Sequence, residues 1–70
     1  MLEELRKLIS RVPFQPFTIS LTSGQSVPVP HPDHILVTAK GIIAVEDDKG
    51  YLDFFSTLHV SSVRLQNAVL

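Results

Sequence analysis

A short stretch, His31-Pro32-Asp33-His34, holds the cluster of side chains best suited to metal chemistry. Two imidazoles and a carboxylate are ligands that divalent transition metals accept, and His59 would add a third imidazole if the fold brought it near. The same residues are typical of a turn, because Pro32 presets φ at the second position and the Asp33 carboxylate bonds back to nearby amides. The turn explains the pattern without a metal, and a metal site at His31, Asp33 and His34 is the alternative.

A hydrolytic triad is built from residue types that this chain has at Ser56, His59 and Asp53. A triad also needs a shaped support that 70 residues seldom provide. The glycines of Ser23-Gly24 and Lys40-Gly41 are typical of hairpin turns, and the sequence contains no glycine-rich phosphate-binding motif. We therefore expect that the protein is not an enzyme and uses no cofactor.

Charge and composition narrow the function further. The formal net charge is −1, so the chain lacks the basic excess typical of proteins that bind nucleic acids or anionic membranes. The acidic residues between Glu46 and Asp53 are explained by a solvated turn. The chain has no cysteine and no apolar run near the ~20 residues that cross a bilayer, and Glu3 and Glu4 stand where a signal peptide is basic. We expect a cytoplasmic protein without membrane contact.

The spacing of apolar residues predicts one helix followed by strands. Apolar residues recur every three or four positions from Leu2 to Val12, which indicates an amphipathic helix that Pro13 ends. The period then changes to two, and strands are predicted over 17–21, 25–31, 35–39, 42–46, 51–55 and 59–65. The chain is thus expected to form one α+β domain over residues 1–70. Its N-terminal helix precedes about five antiparallel strands in a small SH3-like or Sm-like bent sheet or half-open barrel.

Prolines recur at every second position of the second predicted strand, at Pro28, Pro30 and Pro32. Alternate N–H groups of an extended chain point to the same side, so these prolines remove hydrogen-bond donors from one edge only. We expect this strand to pair on one side and to block the addition of a further strand on the other.

The strands predicted over 35–39 and 42–46 are almost continuously apolar, which is typical of strands covered on both faces. A lone helix covers only part of that surface, and a core this small gains stability from association. We therefore predict a self-associating interaction or assembly module, with an unidentified protein partner as the other occupant of that surface. The residues expected at the self-contact are Ile35, Val37, Ile43, Val45 and Phe55, together with the apolar tail Ala68-Val69-Leu70.

Taken as a whole, the chain resembles a family of short bacterial proteins of unknown function. The resemblance covers nearly all residues and depends on the leading helix and on four short motifs. These are Pro13-Phe14-Gln15-Pro16-Phe17, Leu21-Thr22-Ser23-Gly24, His31-Pro32-Asp33 and Leu58-His59-Val60. That family implies no activity for this chain.

A weaker resemblance, in topology, is to the bacterial Sm-like RNA chaperones. They also have a helix, five strands, a glycine hairpin after the first strand and a histidine before the last strand, where this chain has His59. The resemblance implies nucleic-acid binding around His59, with the nucleic-acid backbone contacted by Arg64 and by the helix residues Arg6, Lys7 and Arg11. The lysine that precedes the histidine in that family is Leu58 here.

Overall fold

A computed structural model describes residues 1–66 of the 70-residue chain. The predicted contribution of the tail Ala68-Val69-Leu70 to a self-contact lies outside the described residues. Two 3₁₀ turns, Pro32–His34 and Thr57–His59, accompany one helix and six strands. In chain order these are α1 (Leu2–Ser10), β1 (Phe17–Leu21), β2 (Ser26–Val29), β3 (Ile35–Val37), β4 (Ile42–Glu46), β5 (Leu52–Ser56) and β6 (Val60–Leu65).

Helix α1 buries the apolar stripe that the sequence predicts. Leu5 is fully buried, and Leu8 and Ile9 pack against the same core. The helix ends at Ser10 rather than at Val12, because Arg11 already has extended backbone angles and the residue before a proline avoids helical geometry. Val12 is 92% exposed and does not belong to the stripe.

The strands form two three-stranded antiparallel sheets, with the orders β2-β1-β6 and β3-β4-β5. This confirms the predicted α+β fold with an N-terminal helix and antiparallel strands. Residues 1–66 contain six strands, one for each of the six predicted ranges and one more than the rounded total of about five, and the sheets do not close into a barrel. The buried side chains that form the shared core are Leu5, Phe17, Ile19, Val27, Val29, Ile35, Ile43 and Val45.

Strand β2 pairs on one side only, as its prolines predict. Within the described residues β2 is an edge strand whose only neighbour is β1, and Pro28 lies opposite Thr18. Leu21 N donates to Gln25 O over 2.8 Å. In the alternating antiparallel pattern, the N–H and C=O groups of Val27 and Val29 therefore also point toward β1. Pro28 therefore faces the open edge, where its missing N–H removes a donor. The other two prolines lie beyond β2, and Pro32 begins the first 3₁₀ turn.

The second 3₁₀ turn, Thr57–His59, contacts a hairpin of each sheet. Thr57 N donates to Gly41 O over 2.9 Å, and His59 O accepts a hydrogen bond of 2.8 Å from Thr22 N. Ser56 Oγ accepts from Leu58 N at 3.1 Å and caps the turn. This turn carries the chain from the edge of one sheet to the edge of the other.

Gly41 is expected to tolerate a side chain poorly, because it has a φ of +89° and lies against that turn. A Cβ at this position would stand 2.9 Å from Thr57 Oγ1, whereas a Cβ at Gly24, with a φ of +94°, meets nothing within 4 Å. Positive φ costs a non-glycine residue about 1–2 kcal/mol, so Gly24→Ala serves as the matched control. We expect Gly41→Ala to lower the free energy of unfolding by about 1 kcal/mol more than Gly24→Ala does, through overpacking. Urea denaturation measures both; equal losses would show that Thr57 moves aside freely.

Candidate functional site

An apolar surface lies on the side of the β3-β4-β5 sheet that faces away from the core. Because Ile35, Ile43 and Val45 point inward, the alternate residues of each strand point outward. Leu36, Ala44 and Phe54 form one row across the three strands. We call this surface the outer face, and define it by Leu36, Ile42, Ala44, Leu52 and Phe54.

The outer face is uncovered by any described part of the chain. Phe54 is 67% exposed, Leu36 64% and Leu52 57%, and Ile42 is 44% exposed. Large apolar side chains that are adjacent and exposed mark binding surfaces more often than singly scattered ones do. A shallow groove of about 450 Å³ crosses it, with His34 and Glu46 at one end.

The residues predicted to meet a second copy are placed elsewhere. Ile35, Ile43 and Val45 are buried in the chain's own core, while Val37 and Phe55 are half-buried against it. This corrects the choice of residues: their side chains already have partners within one chain, so a contact between two chains has to use the opposite face. The residue adjacent to Phe55, Phe54, is the exposed ring.

The two ends of the outer face carry opposite charge. At one end, Glu46 is the last residue of β4, and the β4–β5 turn that follows contains Asp47 and Asp48 with Lys49 as its only cation. At the other end, Lys40 lies in the β3–β4 hairpin. Arg6 belongs to the same end, because its guanidinium donates a hydrogen bond of 3.3 Å from Nη2 to Thr38 O. The strands therefore run between an acidic and a basic end.

The His31–His34 segment forms the turn that its sequence predicts. His34 N donates to His31 O over 3.2 Å, and the centroids of the two imidazole rings lie 5.5 Å apart. His34 Nδ1 is 3.2 Å from Glu46 O, which ties the turn to the end of β4. Among residues 1–66, no three His, Cys, Asp or Glu side chains are grouped so that they could hold a metal ion. The alternative set of His31, Asp33 and His34 is thus not brought together as ligands.

The residues considered for catalysis and for nucleic-acid binding are dispersed. The Ser56 hydroxyl is engaged with Leu58 N, and no hydrogen bond in the described chain joins Ser56, His59 and Asp53. His59 and Arg64 are both exposed, but five residues of extended chain place them roughly 15 Å apart. Neither a triad nor a compact cationic site results.

A second groove, of about 480 Å³, was not predicted from the sequence. It is lined by residues 11–16 and by Gln66. Gln15 Nε2 donates to Gln66 O over 3.1 Å, and Gln66 N donates to Pro16 O over 2.9 Å, so the loop before β1 is tied to the end of β6. The irregular Pro-Phe-Gln-Pro sequence carries no periodic signal from which such a groove could be read.

Comparison of the chain with family models, with curated proteins and with solved structures finds no match. The resemblances drawn from the sequence therefore stay predictions. No helix in the described part of the chain has the length and apolar character needed to cross a membrane.

Proposed function

We propose that this protein is a non-enzymatic interaction module that associates with a second copy of itself through the outer face. The observation that carries the proposal is the group of exposed apolar side chains on a regular sheet, of which Phe54 and Leu36 are the most exposed. Such residues gain free energy when they leave water, at about 25 cal/mol for each Å² of apolar surface buried.

The size of the outer face favours a reversible contact. Four large apolar side chains, each about half exposed or more, present on the order of 400 Å². Two such faces together bury on the order of 800 Å², about half of what a standard stable interface buries, before any contribution from the rim. We therefore expect an association whose extent depends on protein concentration.

The charges at the two ends select one orientation. A two-fold axis that lies between the sheets and runs across the strands places the basic end, with Lys40, over the acidic end, with Glu46, of the other copy. An axis along the strands would instead stack the two acidic ends, which repel each other. The antiparallel arrangement is therefore favoured, and salt is expected to weaken it.

Sedimentation velocity of the purified chain at several concentrations tests the proposal. The weight-average mass should rise with concentration, and the rise should shift to higher concentration when ionic strength increases from about 0.05 to 0.5 M, because screening shortens the reach of the end charges. A mass equal to one chain at every concentration would contradict self-association and leave the outer face for a different protein.

The alternative of Sm-like nucleic-acid binding stays a prediction from the sequence, since His59 and Arg64 are exposed but not grouped. The cytoplasmic location also stays a prediction.

A further inference from the structure

Strand β5 has a regular backbone edge that no described strand covers. Asp47 N donates to Tyr51 O and Thr57 N donates to Gly41 O, each over 2.9 Å. These bonds lie at the two ends of the β4–β5 ladder. In the alternating antiparallel pattern, the N–H and C=O groups of Asp53 and Phe55 therefore point toward β4. The N–H and C=O groups of Leu52, Phe54 and Ser56 consequently point away from β4. Within residues 1–66, β5 has β4 as its only neighbour.

The other three edges of the two sheets are each interrupted. Pro28 removes a donor from the β2 edge, and β3 has only three residues. The pairing of β6 with β1 shifts register between Ser20 and Leu21, and such an irregularity twists an edge strand. Proteins block exposed edges in these ways to prevent unwanted pairing. The β5 edge has none of these three interruptions, and its one charged residue, Asp53, lies on the core side opposite Val45. It is therefore the most regular of the four backbone edges.

We propose that β5 pairs antiparallel with β5 of a second copy, about a two-fold axis that passes through Phe54. The two β3-β4-β5 sheets then become one six-stranded sheet. In this register Leu52 lies opposite Ser56, and Phe54 lies opposite the same residue of the other copy, so every outward backbone group of β5 has a partner.

Charge disfavours one of the two neighbouring registers. The proposed register places Asp53 opposite Phe55, whereas a two-fold axis through Asp53 would place this residue directly opposite Asp53 of the other copy. Like charges that face each other across strands destabilise the pair. The proposed register also pairs the full length of β5 from Leu52 to Ser56.

The edge contact rests on the proposed self-association, to which it adds a second interface. Joining two sheets doubles the apolar surface, and the two-fold axes of the edge and of the outer face are perpendicular. An edge-joined pair can therefore stack on another pair to give a closed assembly of four chains. With only the outer face in use, the assembly stops at two.

A pair of variants at Leu52 separates the backbone from the side chain. Leu52→Pro removes the outward N–H while leaving the bonds between β5 and β4 in place, and proline is tolerated at the first residue of an edge strand. Leu52→Ser removes the same side chain and keeps the N–H. Both are made together with Leu36→Asp, which disables the outer face and leaves the edge contact as the only one present.

Native mass spectrometry of these double variants gives the decisive readout. Leu36→Asp and Leu36→Asp/Leu52→Ser should form dimers, and Leu36→Asp/Leu52→Pro should dissociate at least 10-fold more readily than the serine variant. A Leu36→Asp variant that is a monomer at every concentration would overturn the edge contact while leaving the outer face intact as a proposal. A ring of more than four copies would overturn it too, because a ring requires head-to-tail contacts between different edges rather than β5 paired with a second β5.

Hydrogen exchange of the unmodified chain provides a test that does not depend on any variant folding. The amides of Leu52, Phe54 and Ser56 should exchange slowly at high protein concentration and faster after dilution. The amides of Asp53 and Phe55, bonded to β4, serve as the internal control and should be protected at both concentrations. Rapid exchange of the three outward amides at high concentration would overturn the proposal.

Discussion

Leu36→Asp is expected to halve the mass of the assembly while the chain stays folded. Leu36 is 64% exposed on the β3 side of the outer face, so a carboxylate there is solvated in the monomer and buried only when two faces meet. A symmetric contact contains the substitution twice, and each lost leucine removes about 1.5 kcal/mol or more of apolar transfer free energy. The dissociation constant of the face contact should therefore rise about 100-fold.

The matched control is Val12→Asp, which places the same charge on an exposed apolar residue that is not part of the outer face. Sedimentation velocity should report a halved mass for Leu36→Asp and an unchanged mass for Val12→Asp. Circular dichroism should show the same melting temperature for Leu36→Asp as for the unmodified chain at concentrations where both are dissociated. An unchanged mass for Leu36→Asp would rule out the outer face as the contact.

Val45→Asp is expected to unfold the protein. Ala44→Asp, at the preceding residue of β4, is expected to leave the chain folded and to weaken the contact between two outer faces. Val45 is 1% exposed and points into the core, so its replacement buries an unpaired carboxylate. That penalty is several kcal/mol, and a domain of this size has only about 3–5 kcal/mol of stability. Ala44 is half-buried on the outer face, from which a carboxylate reaches water until a second copy covers it.

The comparison is internally controlled, because both variants place an aspartate in the same strand. The low strand propensity of aspartate therefore affects both variants equally. Far-ultraviolet circular dichroism and urea denaturation separate the outcomes: no cooperative transition for Val45→Asp, and a transition for Ala44→Asp. A cooperative transition for Val45→Asp would show that β4 has the opposite face toward the core. A charged substitution at Val45 cannot report on self-association, since it removes the fold first.

The helix and the strands could be predicted because their signals are periodic. The apolar stripe of α1 and the alternation of β1 are local patterns, and the prolines of β2 mark its open edge directly. The orientation of β3 and β4 could not be read in the same way. No polar residue interrupts their apolar runs, Ile35-Leu36-Val37 and Ile42-Ile43-Ala44-Val45. The sequence therefore does not indicate which alternate side chains face the core and which face water.

Long-range contacts explain the remaining differences. The strand predicted over 25–31 ends at Val29, since Pro30 and Pro32 interrupt the ladder and the chain crosses to the second sheet. His59 and Arg64 are close in sequence, yet an extended chain separates them. The groove beside Pro13 depends on a hydrogen bond between Gln15 and Gln66, 51 positions apart, which no local pattern encodes.

The Thr57–His59 turn has a consequence for how the protein comes apart. Its backbone is hydrogen-bonded to Gly41 in the β3–β4 hairpin and to Thr22 in the β1–β2 hairpin. If either hairpin opens, the turn shifts, and the hydrogen bond that holds the other hairpin to the turn is weakened. The two sheets also share one set of core side chains with Leu5 of the helix. We therefore expect them to behave as one cooperative unit: the domain should melt in a single transition, and a chain cleaved between β4 and β5 should not give two halves that fold on their own.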